Sequence, residues 1–452
     1  MRGHIWSNAT IQRALQLRFA CSTRGYESLL SQGYPLPAMR TLSRRTEHIK
    51  FESGILFEVF QMLRLKVASM SPHDRFCSLT IDEMSITPGE KYDQRSDSII
   101  GGVTLPQHEG NATKALVVML GGVSTRWKQT CGYWFTSNSC DGKVFYDLIS
   151  EVIDEAHKIG LHVLSVTNDM GSSNLAMWKR FGVKVGKGSD WITQVPHPSL
   201  PNEDLFFIAD DPHLVKNLKA ALCNGHKFVI PGEFVLKHDL PSCEAKIDHI
   251  KQLLEFDSKH QLRLVPGLDL NDLDPAHFQK MNVGKALRFI SRATSAALIY
   301  LVEAHGFPDE FKTTAWFLET ARKWFDLISS RTSQMALSKF SMEKYDESIS
   351  LLQDVIELFL NIKIGDKGSW KPIQTGIVTT TKSVLGLQDL LLNKKDMKFV
   401  MTSRFSQDAL ENLFGQVRFK NPVPTAKEFK TNLRVITVAQ LRTYAQRIHR
   451  HK

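Results

Sequence analysis

Three places in the sequence put carboxylates where chemistry could use them. In the run Cys77–Ile86 an apolar, β-branched stretch is interrupted by Asp82 and Glu83, with no Gly or Pro inside it. An unpaired carboxylate in a buried strand is costly, and a divalent cation is one partner that relieves it. The alternative is an edge strand whose alternation points Asp82 at solvent. Asp169 closes the apolar run that begins at Leu161 and precedes Met170-Gly171. Strand ends carry ligands in an α/β sheet because the crevice opens there, although Asp169 could equally cap the helix starting near Ser172. Asp408 and Glu411 stand at i and i+3 in the helical stretch Phe405–Arg418 and share a face. Compensation of the helix dipole would account for Asp408, and less well for Glu411 a turn further in.

Asp82, Asp169 and Glu411 together are hard oxygen ligands suited to Mg²⁺ or Mn²⁺. Two such ions about 3.5–4 Å apart support phosphoryl transfer, activating a water or 3′-hydroxyl on one side and stabilising the leaving oxygen on the other. These are the candidate catalytic and metal residues.

The elements that must position them follow from periodicity. Strands are expected at Ser78–Ile86, Ser98–Val103, Lys114–Leu120 and Trp127–Phe135. An amphipathic helix should follow over Val144–Ile159, then a strand Leu161–Asp169 and a helix through Asn174–Arg180. A meander followed by helix, strand and helix is the order of an RNase H-like α/β core. Glu411 lies far beyond Asp169, so a domain must be inserted between them. The stretch 206–402 reads as mainly helical, with runs such as Val283–His305 and Ser348–Leu360. The expected organisation is a helix-turn-helix module and linker helix over 1–70, the first part of the core over 71–205, the insertion over 206–402, and the last part of the core with a tail over 403–452.

In the first module Ser7 can cap a helix carrying Ile11, Ala14, Leu15 and Phe19, with a break expected at Arg24-Gly25-Tyr26. A second helix starts near Pro37, with Met39 and Leu42 inward and Arg40, Arg44 and Arg45 outward. Three arginines on one face after a turn suit a DNA-reading helix, or simply a solvated basic face. A further helix, Ser53–Val67, carries Ile55, Leu56, Val59, Phe60 and Leu63 and so packs onto a neighbour, or equally serves as a bridge to the next domain. The chain of 452 residues has a formal net charge of +10 and a pI near 9.2, which makes a polyanionic partner plausible. Its six cysteines have no C-x-x-C spacing and are expected as free thiols. No signal core or membrane-length apolar run is present, so a cytosolic or nuclear protein is expected and a membrane partner is not.

Several stretches resemble the P-element transposases. The helix-turn-helix resemblance lies in Trp6-Ser7 through Leu17-Arg18, Gly25-Tyr26-Glu27, Pro35-Leu36-Pro37 and Arg40-Thr41-Leu42. The strand Leu79–Met84, the stretch Ile100–Val103 and the strand ending Thr167-Asn168-Asp169 follow in family order. Ala209–Asn217 is similar to that family's Asp…Pro-His-Leu-x-Lys motif, and Ser406–Gly415 to its closing Gln-Asp-x-x-Glu segment. The resemblance implies that Asp82, Asp169 and Glu411 are the catalytic acids. It also implies a GTP-binding helical insertion, with Asp210, Lys216, Phe325, Asp326 and Asp408 near the nucleotide. No phosphate loop of the G-x-x-x-x-G-K-[ST] type is present, so GTP comes from the resemblance alone. Departures are the missing N-terminal zinc finger, coiled coil and C-terminal domain, and Ser329 where the family has Asn. The implied function is a DNA transposase core that binds transposon ends and target DNA, uses GTP without hydrolysing it, and acts in the nucleus as a homo-oligomer. The alternative is a domesticated or truncated DNA-binding protein without chemistry.

Overall fold

The structure, a computed structural model, describes residues 6–47, 50–68, 70–137, 141–273 and 283–443. At its centre lies a mixed sheet of β1 (Gly54–Ile55), β2 (Phe76–Ser85), β3 (Lys114–Gly122), β4 (Lys128–Thr136), β5 (His162–Asn168), β6 (Gln194–His197) and β7 (Leu200–Ala209). The spatial order is β1-β4-β3-β2-β5-β7-β6. β2, β3 and β4 form the expected antiparallel meander, whereas β5 pairs in parallel with β2 and β7 with β5. β2 is therefore an interior strand, which removes the edge-strand explanation of Asp82.

Continuous apolar runs make the inner strands because both faces are covered. Ala115–Leu120 of β3 is buried at every position. On one face lie α3 (Phe57–Val67), α4 (Gly142–Lys158) and α5 (Ser172–Phe181). α4 starts where the sequence indicates: the Asp141 carboxylate accepts from the Lys143 amide at 2.6 Å and caps it. Its residues Phe145, Leu148, Ile149, Val152 and Ile153 form the buried stripe. Across the other face lie two C-terminal helices, α7 (Asp408–Val417) and α8 (Ala426–Thr443), while the helix Pro372–Asp389 packs along β7.

The insertion is helical as expected, with Ile247–Ser258, Arg292–His305, Phe311–Ile328 and Met342–Asn361. The expected run over 283–305 is two helices, since Ser291 caps a new one through the Thr294 amide. The boundary drawn at 205/206 falls inside β7, which belongs to the central sheet; the core continues through Ala209.

Two further expectations are corrected. Ser98–Val103 is not a core strand. It is divided at Gly101 between two small hairpins, Lys91–Asp93 with Ser98–Ile100 and Gly102–Thr104 with Gln107–Asn111. Gly101 has φ +123°, and a Cβ there would lie 2.3 Å from the Gly89 oxygen, so the close approach requires glycine. The break at Gly25 does not occur either: α1 runs unbroken over Asn8–Ser31. Tyr26 is fully buried and its hydroxyl donates to the Pro37 oxygen at 2.8 Å, an anchor that offsets the roughly 1 kcal/mol cost of a helical glycine. α2 (Met39–Glu47) follows, with Leu42 buried and Arg40 and Arg44 exposed. The Arg45 side chain and the basic tail lie outside the described residues. The cysteines at 77, 131, 223 and 243 are free thiols. No described helix is long and apolar enough to cross a membrane.

Candidate active site

Parallel pairing aligns three strand ends. Thr80 of β2 pairs with Thr167 of β5, and Asn168 of β5 with Ala209 of β7. Asp169 and Asp210 consequently follow the ends of two adjacent strands, and Asp82 lies on β2 two residues past its last pair with β5, where the crevice of such a sheet opens. Asp210 thus follows directly on the last core strand, its amide donating to the Asn168 carbonyl at 3.0 Å, rather than lying within the helical insertion. A short strand start containing Pro201, Glu203 and Asp204 hides β7 in the sequence.

Asp210 is fully buried and held at both oxygens. One accepts from the Gln407 amide at 3.0 Å; the other accepts from the His213 amide and lies 2.7 Å from His213 Nδ1. In doing so it caps α6 (Asp211–Cys223), whose Pro212 suits the first turn. Gln407 also donates from its side chain to the Ile81 carbonyl, fastening the start of α7 to the strand beside Asp82. That clamp sets Glu411 opposite the strand ends. Ligand atoms of Asp210, His213 and Glu411 lie within 4.8 Å of one another.

The electrostatics follow from this crowding. Burial pushes the Asp82 carboxyl up to about 7; Asp210 and Asp169 add to the rise, while the Glu83 amide and His213 oppose it. Burial and then Asp210 raise Glu411, with Lys216 and His213 partly offsetting them. Burial works against charge on His213, but the Asp210 carboxylate outweighs it and raises the imidazole. Asp211, fully buried behind this group, is driven well above the usual carboxylate range by burial and by Asp210 and Asp408. Carboxylates converging at low solvation fit a hard divalent cation, and one imidazole nitrogen among oxygens suits Mn²⁺ as well as Mg²⁺. Asp169 stands at the rim, its Oδ1 accepting from the Gly171 amide at 2.9 Å and from Asn174 Nδ2 at 2.6 Å. These bonds fix it on the turn before α5, whose N-cap is Gly171, so the helix cap open to Asp169 in the sequence does not form; its second oxygen remains for a ligand.

Of the acids expected from the sequence, Asp169 lies close enough to Asp82 to act on its charge, while Glu411 stands with Asp210 and His213. His213 and Gln407 fall inside the motifs quoted above, where neither had a role of its own. Of the residues tied to a nucleotide, Lys216 lies close enough to Glu411 and His213 to act on their charge. Asp408 is paired with Arg331 at 2.6 Å. Phe325 is buried, and Asp326 is engaged by Arg322 at 2.9 Å and Arg292 at 3.9 Å; a nucleotide there would have to share those arginines. Ser329, in place of the family's Asn, turns its hydroxyl onto the Phe325 carbonyl at 2.6 Å.

The helix Pro372–Asp389 secures the strand end beneath Asp210. Thr380 Oγ1 donates to the Ala209 carbonyl at 2.8 Å and accepts from its amide at 3.1 Å, and Ser383 donates to the Phe207 carbonyl at 2.5 Å. Thr380→Val keeps the shape and leaves two buried backbone groups without partners. A loss of about 1–3 kcal/mol per group is expected in denaturant unfolding, whereas a change under about 0.5 kcal/mol would show the pairing to be dispensable.

Comparison with known proteins agrees with this geometry. Residues 51–182 match the family described as TNP-like, RNase H N-terminal domain, and residues 233–340 the TNP-like, GTP-binding insertion domain. The Transposable element P transposase of Drosophila melanogaster is 25% identical over 418 residues, covering 91% of this chain and 51% of that protein. The chain thus spans about half the length of the curated relative it matches. In fold it is similar to the Drosophila P element transposase strand transfer complex, with a TM-score of 0.80 at 22% identity, over 97% of this chain and 94% of that one. Its RNase H-like sheet, helical insertion and strand-end acids make the chain a member of the P-element-type transposase family.

Proposed function

We propose that the chain is a P-element-like DNA transposase core that cuts and joins DNA in a divalent-metal-dependent reaction, with GTP as a non-hydrolysed cofactor. The observation that carries this reading is the convergence of Asp82, Asp169 and Asp210 on three adjacent parallel strands, with Glu411 and His213 beside Asp210. Asp82, Asp169 and Glu411, with Asp210 and His213 beside them, are the residues that would hold the cations. When bound, Mg²⁺ or Mn²⁺ supplies the positive charge that activates an attacking oxygen and stabilises a leaving one.

The chain's own contribution is preorganisation. Asp210 fixes the His213 ring through Nδ1, leaving the second ring nitrogen for a ligand or a proton. Gln407 ties α7 to β2 and to Asp210 and keeps Glu411 beside Asp210. Lys216 is the cation placed to meet phosphate oxygens. Lys216 and the Arg331–Asp408 pair offer a nucleotide its charge and hydrogen-bond partners, with Phe325 and Asp326 behind them; GTP would add anionic charge and bridge insertion to core. The solved relative is a strand transfer complex, which supports DNA joining as the activity. Arg40, Arg44 and Arg45 of α2 are proposed to grip DNA, and the protein to work as a homo-oligomer in the nucleus on transposon ends and target DNA.

A second reading, a DNA-binding protein without chemistry, is favoured by the hydrogen bonds that already occupy Asp169. Incubation of the full chain with labelled duplex DNA, Mn²⁺ and GTP separates the two. Cleavage that stops on chelation supports the transposase; salt-dependent binding without any cleavage supports the second reading.

A further inference from the structure

We propose that a basic cleft beside the acids holds the phosphate backbone of the nucleic-acid strand next to its reacting phosphate, with Arg126, Lys128 and Gln440 as the contacts. The inference deepens the reading above and rests on it. The cleft encloses about 550 Å³ and is lined by Ser78 and Thr80. Alternation along β2 puts these two residues on the same face as Asp82. The turn Thr402–Phe405 lies across it, since Ser78 Oγ donates to the Arg404 carbonyl at 2.7 Å. Asp408 lines the cleft and also acts on the charge of Glu411, so the two sites adjoin.

Its charge is unbalanced. Arg126, Lys128, Arg331 and Arg404 line it against one acid, Asp408, which Arg331 already engages. Arg126 is exposed at the start of β4 and Lys128 half-buried. Burial, and then the charge of Arg126, depress the Lys128 amine. Neither cation pairs with a carboxylate among the described residues. Two like charges held together this way lower the cost of an arriving anion.

A second observation points the same way. Gln440 of α8 is buried, and its Oε1 accepts from the Thr130 amide at 2.8 Å. Its Nε2 has no hydrogen-bond partner although the residue lines the cleft. A buried donor without an acceptor is unfavourable until one arrives. Phosphate oxygens accept from such an amide and from the cations around it. A strand fits better than a free nucleotide, because the cleft extends β2's face away from Asp82 and has an exposed arginine at its mouth. That shape suits an extended polyanion threading out of the crevice.

The test uses the full chain with divalent metal chelated, so that no chemistry intervenes. Binding of a labelled single-stranded oligonucleotide and of a labelled GTP analogue is measured across a salt series. Arg126→Gln with Lys128→Gln is expected to weaken oligonucleotide binding about tenfold or more and to lower the salt slope by about 1.4, the value for two lost phosphate contacts. Gln440→Glu keeps the acceptor for Thr130 and turns the orphan donor into an anion; it should weaken the oligonucleotide as well. GTP binding should stay unchanged in both variants, and the unfolding temperature in the Arg126→Gln, Lys128→Gln protein. Unaltered oligonucleotide affinity in both overturns the proposal, as does loss of GTP binding with oligonucleotide binding intact, which would give the cleft to the nucleotide. Oligonucleotide binding that depends on these residues in a chain that never cuts DNA would sink the transposase reading and leave the cleft in place.

Discussion

Asp82→Asn, Asp169→Asn, Asp210→Asn and Glu411→Gln are each expected to lower metal-dependent DNA cleavage by about a thousandfold or more, because groups that hold metal for one reaction act as a unit. The amide substitutions keep size and shape, so folding is a minor concern at Asp82 and Glu411. Asp169→Asn is the sharpest of the four. Both of its hydrogen bonds, from the Gly171 amide and Asn174, go to the same oxygen. An asparagine retains that oxygen and with it the turn before α5, losing only the charge and the second oxygen. Full activity in Asp169→Asn would reduce Asp169 to a residue that shapes this turn. Asp210→Asn changes more, because one oxygen serves Gln407 and the other His213. It should abolish cleavage while shifting the His213 titration downward, since the carboxylate is what raises that imidazole.

Trp324→Ala is expected to cost about 3–5 kcal/mol in unfolding free energy, the range for removing a buried aromatic. Trp324 is 1% exposed on the helix Phe311–Ile328, and its indole N–H donates to Thr381 Oγ1 at 2.8 Å on the helix Pro372–Asp389. That second helix is the one whose Thr380 and Ser383 hold β7. The tryptophan therefore links the insertion to the strand that ends at Asp210. Trp324→Phe keeps most of the volume and loses the hydrogen bond, so about 1 kcal/mol is expected for it. Urea unfolding of the three proteins checks both figures; equal midpoints for wild type and Trp324→Ala would disprove the link.

The acidic crevice was legible in the sequence where local pattern and tertiary burial agree. Asp82 stood out because an acid interrupts an apolar strand, and Asp169 because it ends one. Glu411 was legible from helical spacing. Asp210 was harder, since only Leu205–Ala209 of β7 is apolar and a five-residue run is as compatible with a helix start as with a strand. Nothing local says that this run lies parallel to β5; parallel pairing is a long-range property. Gln407 escaped for a similar reason, as its two partners, Ile81 and Asp210, are far away in sequence. Gly25 misled because glycine weakens a helix without forbidding it, and the buried Tyr26 beside it decides the outcome.

Direct titration of the chain with Mn²⁺, followed by electron paramagnetic resonance in the absence of DNA, tests the metal site itself. Saturable binding is predicted, weakened about tenfold or more by Asp82→Asn and by Glu411→Gln. The affinity should rise with pH across neutrality. Burial and the neighbouring acids hold the Asp82 carboxyl at about 7, and its proton must leave before it can bind a cation. Binding that is unchanged in both variants and flat with pH would mean that these acids do not form the metal site.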